Sequence, residues 1–461
     1  MRVGRRAEKI YYAPSRSHPA AALLVALLIF FASACTAVRP TAAPSDAAPF
    51  TYASRVQKIL NPSTTMPNGA WLGGDVAASI PITDDMRIWL FGDTLVGSFQ
   101  TDCPKGTPFC DREIFKGKAT GPVHNSVGVL RGLPGSYQPI ERFWGEKPDG
   151  APTSFFAADD PDHYLWPLSG VSLEGGLVIL ANENSATSGL SPVAAVLLHV
   201  LNPLDAPTEW EVRQRALPFR KSTPEDQRSL SITSAVVRRG KFLIVVGSRR
   251  DSAGKTATIL ARLPVSALQD FDGSWAWEWW MHTDKNEPEW SAPLEFQKLA
   301  TVQGLPASSE STIDRRQDQL WETYQIQGLT YDIHRLTAEV LEGPWQDSGA
   351  VYHVPPPWSL PARRHCGKPL LRSARTRQDM AARRQRARNL MCRIGNFVVY
   401  APKSHPGLSP NGEQTLTYNV NLFFGTLKGL SHAVGKFPGF YVPRAVRQPT
   451  PRRQKSPAQS E

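Results

Sequence analysis

Residues 71–94, WLGGDVAASIPITDDMRIWLFGDT, decide the fold class. Two apolar runs, VAASIPI and RIWLFGD, flank a polar turn that contains Asp84 and Asp85. β-Branched and aromatic residues favour strands, whereas Asp favours turns because its side chain bonds to nearby backbone groups. The stretch therefore predicts a β-hairpin centred on residue 84.

The same pattern of two apolar strands around a polar turn recurs four more times. The turns are centred near residues 175, 239, 316 and 411. Further candidate strands follow most hairpins, and the core shows no long amphipathic helix. A hairpin unit repeated five times, at roughly 65 to 95 residues, predicts an all-β chain folded as a five-bladed β-propeller. A β-sandwich or barrel also gives many short strands, and the irregular spacing leaves that alternative open.

The register of the first hairpin predicts that Asp75 and Asp93 face each other at its open end, since residue 84 lies midway between them. Directly opposed residues have Cβ atoms roughly 4.5–5.5 Å apart, so two carboxylates there repel and one of them should have a raised pKa. Folds tolerate such pairs where acid–base chemistry needs them. The alternative is that Asp75 only caps a loop and Asp93 only bonds to turn amides.

The later hairpins bring more polar residues to the same end of the propeller. Folding back the fourth hairpin about residue 317 places Glu310 opposite Tyr324, and the fifth places His405 near Tyr418 and Asn419. Equivalent ends of the blades converge around the axis of a propeller. These residues are therefore predicted to share one funnel with Asp75, Asp93, Asp162, His163 and Trp166.

The predicted funnel has the composition of a carbohydrate site, because carboxylates and aromatic side chains share one mouth. Two carboxyl groups that flank a glycosidic bond act as acid and base, or as acid and nucleophile. A short separation of Asp75 and Asp93 favours retention of configuration, whereas Glu310 in place of one of them would reverse that expectation. For His405 and the tryptophans the alternative is a structural place in the blades.

The N-terminus has the features of an export signal. Five basic residues precede the apolar run AAALLVALLIFF at 20–31, which is too short to span a membrane comfortably. The run ends in ASAC and resembles a bacterial lipobox, so Cys35 is predicted to be lipidated, although Ala32 stands where leucine is usual. Cleavage after Ala34 and an uncleaved anchor are the alternatives. In each case the protein is predicted to be exported, as a membrane-anchored lipoprotein or in the extracellular or periplasmic space.

Cysteine usage agrees with an oxidising compartment. Cys103 and Cys110 lie in the polar loop TDCPKGTPFCDRE and are predicted to form a disulfide. A metal site is the alternative, but no His or second Cys pair stands near them in the sequence. The pairing of Cys366 and Cys392 stays open.

The net charge of +11 is unevenly distributed. Residues 1–35, 362–393 and 443–461 carry +4, +10 and +4, which leaves −7 on the rest of the chain. Basic charge confined to the ends and one segment is typical of solvated tails, so no nucleic-acid groove is predicted.

Composition divides the chain into four regions. Residues 1–35 are the predicted signal segment, and residues 36–52 a flexible linker rich in Ala, Pro, Ser and Thr. Residues 53–443 are the predicted propeller, and residues 444–461 a disordered basic tail.

Four motifs resemble a known group of proteins: GGDVAASIPITDDMRIWLFGDTLVG at 73–97, HNSVGVL at 124–130, WPLSGVSLEGGLVIL at 166–180 and YAPKSHPGLSPNGEQTLTYNVN at 400–421. They resemble signatures of bacterial secreted five-bladed propellers of the furanosidase-like superfamily. The branch in question, formerly catalogued as a domain of unknown function, includes endo-D-arabinofuranases that cut mycobacterial cell-wall arabinan. The resemblance spans roughly residues 65–360 and 394–425 and implies a glycoside hydrolase acting on furanose-containing glycans.

Matched motif by motif, the resemblance makes Asp75 and Asp93 catalytic candidates and makes Asn125 and His405 pocket-lining residues. Glu310 occupies a fourth-blade acidic position in SSESTID, which is a less typical setting. A shared fold implies function only weakly.

Residues 362–393 depart from the family pattern, because they are dense in Arg and lack strand alternation. Three interpretations stay open: an inserted basic loop, an RNA- or lipid-binding element, and a stretch read in the wrong frame from a GC-rich gene. Family-like sequence returns abruptly at Ile394, which favours the frame artefact.

The sequence thus predicts an exported, surface-anchored glycoside hydrolase acting on a polysaccharide such as arabinan or arabinogalactan. The predicted catalytic residues are Asp75, Asp93 and Glu310. The predicted substrate-binding residues are Asn125, Asp162, His163, Trp166, Tyr324, His405, Tyr418 and Asn419. A non-catalytic glycan-binding propeller lipoprotein is the alternative, followed by a structural envelope lipoprotein that binds protein. The predicted partners are the polysaccharide and the membrane, with no nucleic acid, cofactor or metal, and the predicted state is a monomer.

Overall fold

A computed structural model of the chain describes residues 50–61, 70–99, 112–113, 123–174, 176–187, 192–223, 226–308, 310–315, 319–326, 331–355, 397–409, 413–422 and 441–448. The predictions for the signal segment, Cys35, Cys103, Cys110 and residues 362–393 lie outside these ranges. None of the helices in the described ranges combines the length and apolar character that a membrane span requires.

Short strands make up most of the described chain. The first third contains one helix, α1 (Ser54–Leu60), and the strands β1 (Thr51–Tyr52), β2 (Ala70–Gly74), β3 (Ala78–Thr83), β4 (Met86–Phe91), β5 (Thr94–Phe99), β6 (Arg112–Glu113), β7 (Ser126–Arg131), β8 (Glu141–Phe143), β9 (Gly145–Glu146) and β10 (Pro152–Thr153). The middle contains β11 (His163–Leu173), β12 (Gly176–Ser185), β13 (Pro192–Val200), β14 (Val212–Ala216), β15 (Ser229–Arg239), β16 (Phe242–Arg250), β17 (Thr256–Pro264), β18 (Glu278–His282) and β19 (Pro288–Ser291). The last part contains β20 (Ile313–Arg315), β21 (Trp321–Ile326), β22 (Asp332–Ala338), β23 (Gln346–His353), β24 (Phe397–Ser404), β25 (Gln414–Leu422) and β26 (Arg444–Gln448). Three 3-10 helices, Pro207–Glu209, Val265–Leu268 and Phe296–Lys298, lie in connections.

Five antiparallel sheets form the blades of a β-propeller. Their strand orders are β3-β4-β7-β8, β11-β12-β13-β14, β15-β16-β17-β18-β19, β20-β21-β22-β23 and β24-β25-β26-β1. The last blade takes its outer strand from the N-terminal side of the chain, because Tyr52 of β1 pairs with Val446 of β26. Two small sheets, β2-β5-β6 and β9-β10, accompany the blades.

A separate apolar core fills each interface between neighbouring blades. Ile88 and Leu165 meet between the first and second blades, and Leu180 and Val245 meet between the second and third. Similar clusters join the third blade to the fourth and the fourth to the fifth. The fifth interface, in which Ala445 packs in the same cluster as residues of the first blade, closes the ring.

The first hairpin has the predicted register. Ala78 pairs with Leu90 and Ile80 pairs with Ile88, so the centre lies at residue 84. Alternation of apolar residues fixes this register, because a one-residue slip would turn the buried set toward solvent.

The predicted registers of the fourth and fifth hairpins are wrong. Ile313 pairs with Thr323, which moves the centre of the fourth hairpin to 318 and leaves Glu310 before the strand rather than opposite Tyr324. In the fifth, Ser404 pairs with Leu416, which moves the centre of the hairpin to 410. His405 therefore faces Thr415, to whose carbonyl it donates its N–H at 3.0 Å, and not Tyr418 or Asn419. Further from the turn, a bulge between Tyr400 and Lys403 adds a residue to one strand and places Tyr400 opposite Asn419, which a simple folding-back of the sequence omits.

Two predicted boundaries also need correction. The linker predicted for 36–52 ends earlier, since Thr51–Tyr52 forms β1 and Phe50 is buried. The tail predicted for 444–461 begins later, since Arg444–Gln448 forms β26 with Ala445 and Val446 buried. Arg444 and Arg447 made this segment resemble a basic tail, although it forms strand β26, which pairs with β1 at the other end of the described chain.

Candidate functional site

Asp75 and Asp93 are neighbours just beyond the end of the first hairpin. The Asp75 N–H donates to the Asp93 carbonyl at 3.2 Å, and the Gly92 N–H donates to the Asp75 carbonyl at 3.1 Å. Asp75 lies between β2 and β3, and Asp93 lies between β4 and β5. The chain crosses here from the blade into the small accessory sheet, which fixes both acids at one end of the propeller.

The backbone after Asp75 is strained. Val76 and Ala77 have φ values of 62° and 51° and are fully buried, and the Ala77 N–H donates to the Asp75 carbonyl at 2.7 Å. A β-branched residue with positive φ is rare, and such outliers cluster at functional sites where the surrounding structure enforces them. The surrounding structure therefore fixes the backbone just after Asp75 in an unfavourable conformation.

Two tyrosines hold the side chain of Asp75. The hydroxyls of Tyr400 and Tyr441 donate to its Oδ2 at 3.0 and 2.9 Å, whereas its buried Oδ1 has no partner. Only 2% of Asp75 is exposed. Burial raises the pKa of Asp75 well above its usual range, and the charges of Asp93 and Glu310 raise it further, against the two tyrosine hydrogen bonds. The surroundings of Asp75 therefore favour its protonated form.

Asp93 lies in a more open environment. Its Oδ1 is 3.0 Å from Nδ1 of His124, and 25% of its side chain is exposed. The ring of His124 stacks on Tyr164 with centroids 3.7 Å apart. Burial raises the pKa of Tyr164 to about 12, with a contribution from Asp93. The histidine and the tyrosine together hold Asp93 in one orientation.

Glu310 and Lys403 add a third carboxylate and an internal cation. Lys403 is fully buried in β24, and its Nζ donates to the Leu168 carbonyl of the second blade at 3.2 Å. Burial lowers the pKa of Lys403 to about 8, although Glu310 and Asp75 attract its charge. Burial raises the pKa of Glu310, while Lys403 opposes that rise and Asp93 adds to it. The Oε2 of Glu310 is buried without a partner.

Gly92 leaves room for two of the site's polar atoms. A Cβ on Gly92 would overlap Nε1 of Trp166 and Oδ1 of Asp75. Both of those atoms are buried and have no hydrogen-bond partner. The indole of Trp166 therefore lies beside the unpartnered oxygen of Asp75.

Two predicted substrate-binding residues, Asn125 and Asn419, form side-chain hydrogen bonds within the protein. Asn125 donates to the carbonyls of Phe156 and Leu165 at 3.0 and 2.8 Å and accepts from the Phe156 N–H, so it joins the first two blades rather than offering its amide to a ligand. Asn419 donates to the Gly74 carbonyl at 3.2 Å.

Two predicted aromatic platforms lie in a blade core instead. Tyr324 and Tyr418 are fully buried in the cluster between the fourth and fifth blades. Tyr324 contacts Phe50 edge-on, and Tyr418 packs against Tyr352. In the sequence, each tyrosine stands between two polar residues of its strand, as an exposed aromatic residue would. The packing of the neighbouring blade is what buries them.

The remaining predicted residues lie apart from the three carboxylates. His405 is fully buried, stacks on Trp89 and bonds to the hydroxyls of Ser79 and Thr417, each at 2.7 Å. That environment fits the structural alternative. His163 bonds to Glu183 at 2.7 Å, and Asp162 is exposed. Tyr164, one residue later in β11, is the side chain that approaches Asp93.

Five residues of the site were not predicted: His124, Tyr164, Tyr400, Lys403 and Tyr441. The first four lie one to five positions from residues that were chosen, so the signal was present nearby in the sequence. Tyr441 lies in no motif, and only the closure of the ring brings it to Asp75.

The arrangement has the parts needed for acid–base chemistry. One carboxyl is buried with a raised pKa, one more open carboxylate is oriented by a histidine, and a third acid lies near an internal lysine. Within the described ranges, no group of three or more His, Cys, Asp or Glu side chains is placed to hold a metal.

Comparisons with solved structures show the fold. A candidate hydrolase from Bacteroides ovatus superposes with a TM-score of 0.53 at 14% identity, covering 89% of this chain and 96% of that one. Two other similar structures are a GH43 β-1,3-galactosidase with galactodeoxynojirimycin bound and a mutant α-L-arabinanase from Cellvibrio cellulosa. The galactosidase has a TM-score of 0.35 at 10% identity and covers 81% of this chain and 90% of its own. The arabinanase has a TM-score of 0.28 at 8% identity and covers 60% of this chain and 95% of its own.

Comparison at the level of sequence places the chain in a family. No curated protein sequence matches it. A family model does match, over residues 64–427, which include the first four blades and strands β24 and β25 of the fifth, and its description is Domain of unknown function (DUF5005). The chain therefore belongs to the DUF5005 family.

Proposed function

We propose that the protein is a glycoside hydrolase that cuts a furanose-containing polysaccharide such as arabinan or arabinogalactan. The observation that carries the proposal is the contrast between Asp75 and Asp93. They are adjacent acids of one hairpin, yet one is buried with a raised pKa and the other is partly open beside His124. A glycosidase needs one carboxyl that gives a proton and another that attacks or activates water.

Roles follow from these environments. Asp75 protonates the leaving oxygen through Oδ1, because Oδ2 is occupied by Tyr400 and Tyr441. Asp93 acts as nucleophile or base, with Oδ1 held by His124. Glu310 is the third candidate, able to replace either acid. The predicted export and lipid anchoring would place this activity at the cell envelope.

The test is release of oligosaccharides by the purified protein from mycobacterial arabinogalactan and a panel of arabinans and fructans. We expect products from one polymer, and loss of at least about a hundredfold in rate for Asp75→Asn and Asp93→Asn. Asp84→Asn, in the turn of the same hairpin, is the matched control and should retain activity. Full activity in both site variants would refute the assignment.

A glycan-binding propeller without turnover is the second candidate. The full burial of Asp75 Oδ1 favours it, because a proton donor has to reach its substrate. Binding of one polymer in the same panel, with no product from the folded protein after prolonged incubation, would support this candidate.

A further inference from the structure

The innermost strand of the third blade borders the carboxylate site but contributes no acid to it. The Ser311 N–H, next to Glu310, donates to the Ser234 carbonyl of β15 at 3.3 Å. Leu230 lies four residues before Ser234 in the same strand, which is at most about 13 Å along an extended chain. The beginning of β15 therefore lies a few sugar residues from the carboxylates.

Three arginines surround Leu230 on one face of the sheet. Arg220 and Leu230 exchange both backbone hydrogen bonds at 2.9 Å on one side, and Arg249 pairs with Leu230 on the other. Directly paired residues project to the same face of a sheet, which brings Arg220 and Arg249 together. Arg228, one residue before β15, joins them at the ring of Phe296.

The arginine cluster, Arg220, Arg228 and Arg249, encloses the half-buried ring of Phe296. The guanidinium carbons lie 5.5, 5.9 and 5.9 Å from the ring centroid. Cation–π contacts of this kind hold guanidinium groups in place while leaving their N–H groups at the surface.

The charge of the arginine cluster is only partly matched. Asp226 forms ion pairs with Arg220 and Arg228. Arg249 instead donates to the Phe296 carbonyl at 3.0 Å. Among the described residues, Asp226 is the one carboxylate in direct contact with these arginines, so Arg249 has no ion-pair partner there and three positive charges face one negative charge.

Hydroxyl groups line β15 between the arginine cluster and the carboxylates. Ser231 Oγ is 3.1 Å from Thr233 Oγ1, which donates to Asn182 Oδ1 at 2.7 Å. Thr233 is buried and engaged with Asn182, which leaves the partly exposed Ser231 as the hydroxyl of this pair that a glycan can reach.

We propose that the arginine cluster binds an anionic substituent, a phosphodiester or a carboxylate, on the polysaccharide whose furanose chain occupies the carboxylate site. The proposal rests on the proposed function for the nature of that polymer. Arginine suits this task because its planar fork of N–H donors matches the oxygens of phosphate and carboxylate groups. The substrate class is accordingly an acidic glycan rather than a neutral one.

The test compares three probes of equal chain length: arabinan, carboxymethylated arabinan and arabinan that carries methyl phosphodiester groups. Calorimetric titration of the full chain should show at least about tenfold tighter binding of a charged probe than of arabinan, weakening with added salt. Arg249→Gln and Arg228→Gln should each remove most of that preference. Arg238→Gln is the matched control, since Arg238 lies at the opposite end of β15 and should leave the preference unchanged.

Equal affinity for charged and neutral probes would overturn the proposal, and so would equal losses in Arg238→Gln and Arg249→Gln. The two charged probes separate a phosphodiester from a carboxylate. Binding measured with Asp75→Asn and hydrolysis measured with the wild type distinguish this inference from the proposed function. Charge preference with no hydrolysis by the wild type would refute the hydrolase and keep the anion site, whereas hydrolysis by the wild type without charge preference would refute only the anion site.

Discussion

At the scale of single residues, the site depends on how differently two acids of one hairpin are surrounded. Asp75 is covered by the first and fifth blades and held at one oxygen by two tyrosines. Asp93, beside it in the backbone, keeps a quarter of its side chain exposed and meets a histidine. Burial penalises the charged form of a carboxyl, so the pKa of Asp75 is raised.

Removing one hydroxyl should shift the titration of Asp75 upward. In Tyr400→Phe the ionised carboxylate loses a donor that stabilises it, so the pKa of Asp75 rises further. Tyr441→Phe should act in the same direction. Infrared difference titration of the carboxyl band, identified with Asp75→Asn, measures the shift. Tyr137→Phe is the control, because that hydroxyl donates to Gly407 instead. A downward shift in Tyr400→Phe would contradict the expectation.

Adding one methyl group at Gly92 should damage the site. Gly92→Ala drives a Cβ into Trp166 and Asp75, so we expect a loss of about 1–3 kcal/mol of stability together with weaker glycan binding. Urea unfolding and the polymer panel measure the two effects. Gly240→Ala is the control: it meets no atom within 4 Å, although its φ of 59° strains an alanine. If both variants bind glycan as the wild type does, the packing argument fails.

At the scale of elements, pairing of strands places a second pair of acids in opposition. Asp314 of β20 lies directly across from Glu322 of β21, and Glu322 is buried. Burial raises the pKa of Asp314 to about 7, and the charge of Glu322 raises it while Ser404 and Arg87 lower it. The short fourth-blade strand therefore carries a group that titrates near neutral pH.

This pair makes stability depend on pH with a definite sign. The folded pKa of Asp314 exceeds its unfolded value, so the folded state binds the proton more tightly. The stability that this tighter proton binding contributes is fully present below the usual pKa range of aspartate, and it is lost as the pH rises through about 7. Asp314→Asn should remove this pH dependence. Between pH 5 and pH 8 the free energy of unfolding of the wild type should therefore fall by about 1 kcal/mol or more beyond the fall in the variant. Urea titrations at both pH values measure the difference. Asp84→Asn, in an exposed turn, should behave as the wild type, and an unchanged slope in Asp314→Asn would contradict the argument.

At the scale of the whole molecule, the ring closes through two distant parts of the chain. β1 pairs with β26, and Gln57 of α1 bonds to the Ala445 N–H and the Pro443 carbonyl at 3.0 and 2.9 Å. Tyr441, which holds Asp75, lies three residues before β26. Closure and the acid site are therefore coupled.

Opening the ring should destabilise the entire chain and not one blade. Ala445→Asp buries a carboxylate in the apolar interface of the fifth and first blades, where Ala445 is fully covered, and should cost at least about 3 kcal/mol. Arg447→Gln is the matched control two residues along β26. It removes an exposed ion pair with Glu413 and should cost less than about 1 kcal/mol. Thermal unfolding followed by far-ultraviolet and tryptophan signals measures both. Equal melting temperatures in the two variants would show that closure contributes little.

The sequence by itself determined the all-β class, the five-fold repeat and the register of the first hairpin, from which Asp75 and Asp93 were predicted as neighbours. These features follow from local rules, because alternation of apolar residues and the chemistry of turns act within a few tens of residues. Only the tertiary structure decided the roles of Tyr324 and Tyr418, which a neighbouring blade buries. It alone brought Tyr400, Lys403 and Tyr441 to Asp75, across more than three hundred residues of chain. Burial and charge at the site arise when the ring closes, and a pattern read along one strand contains no information about what the next blade places against it.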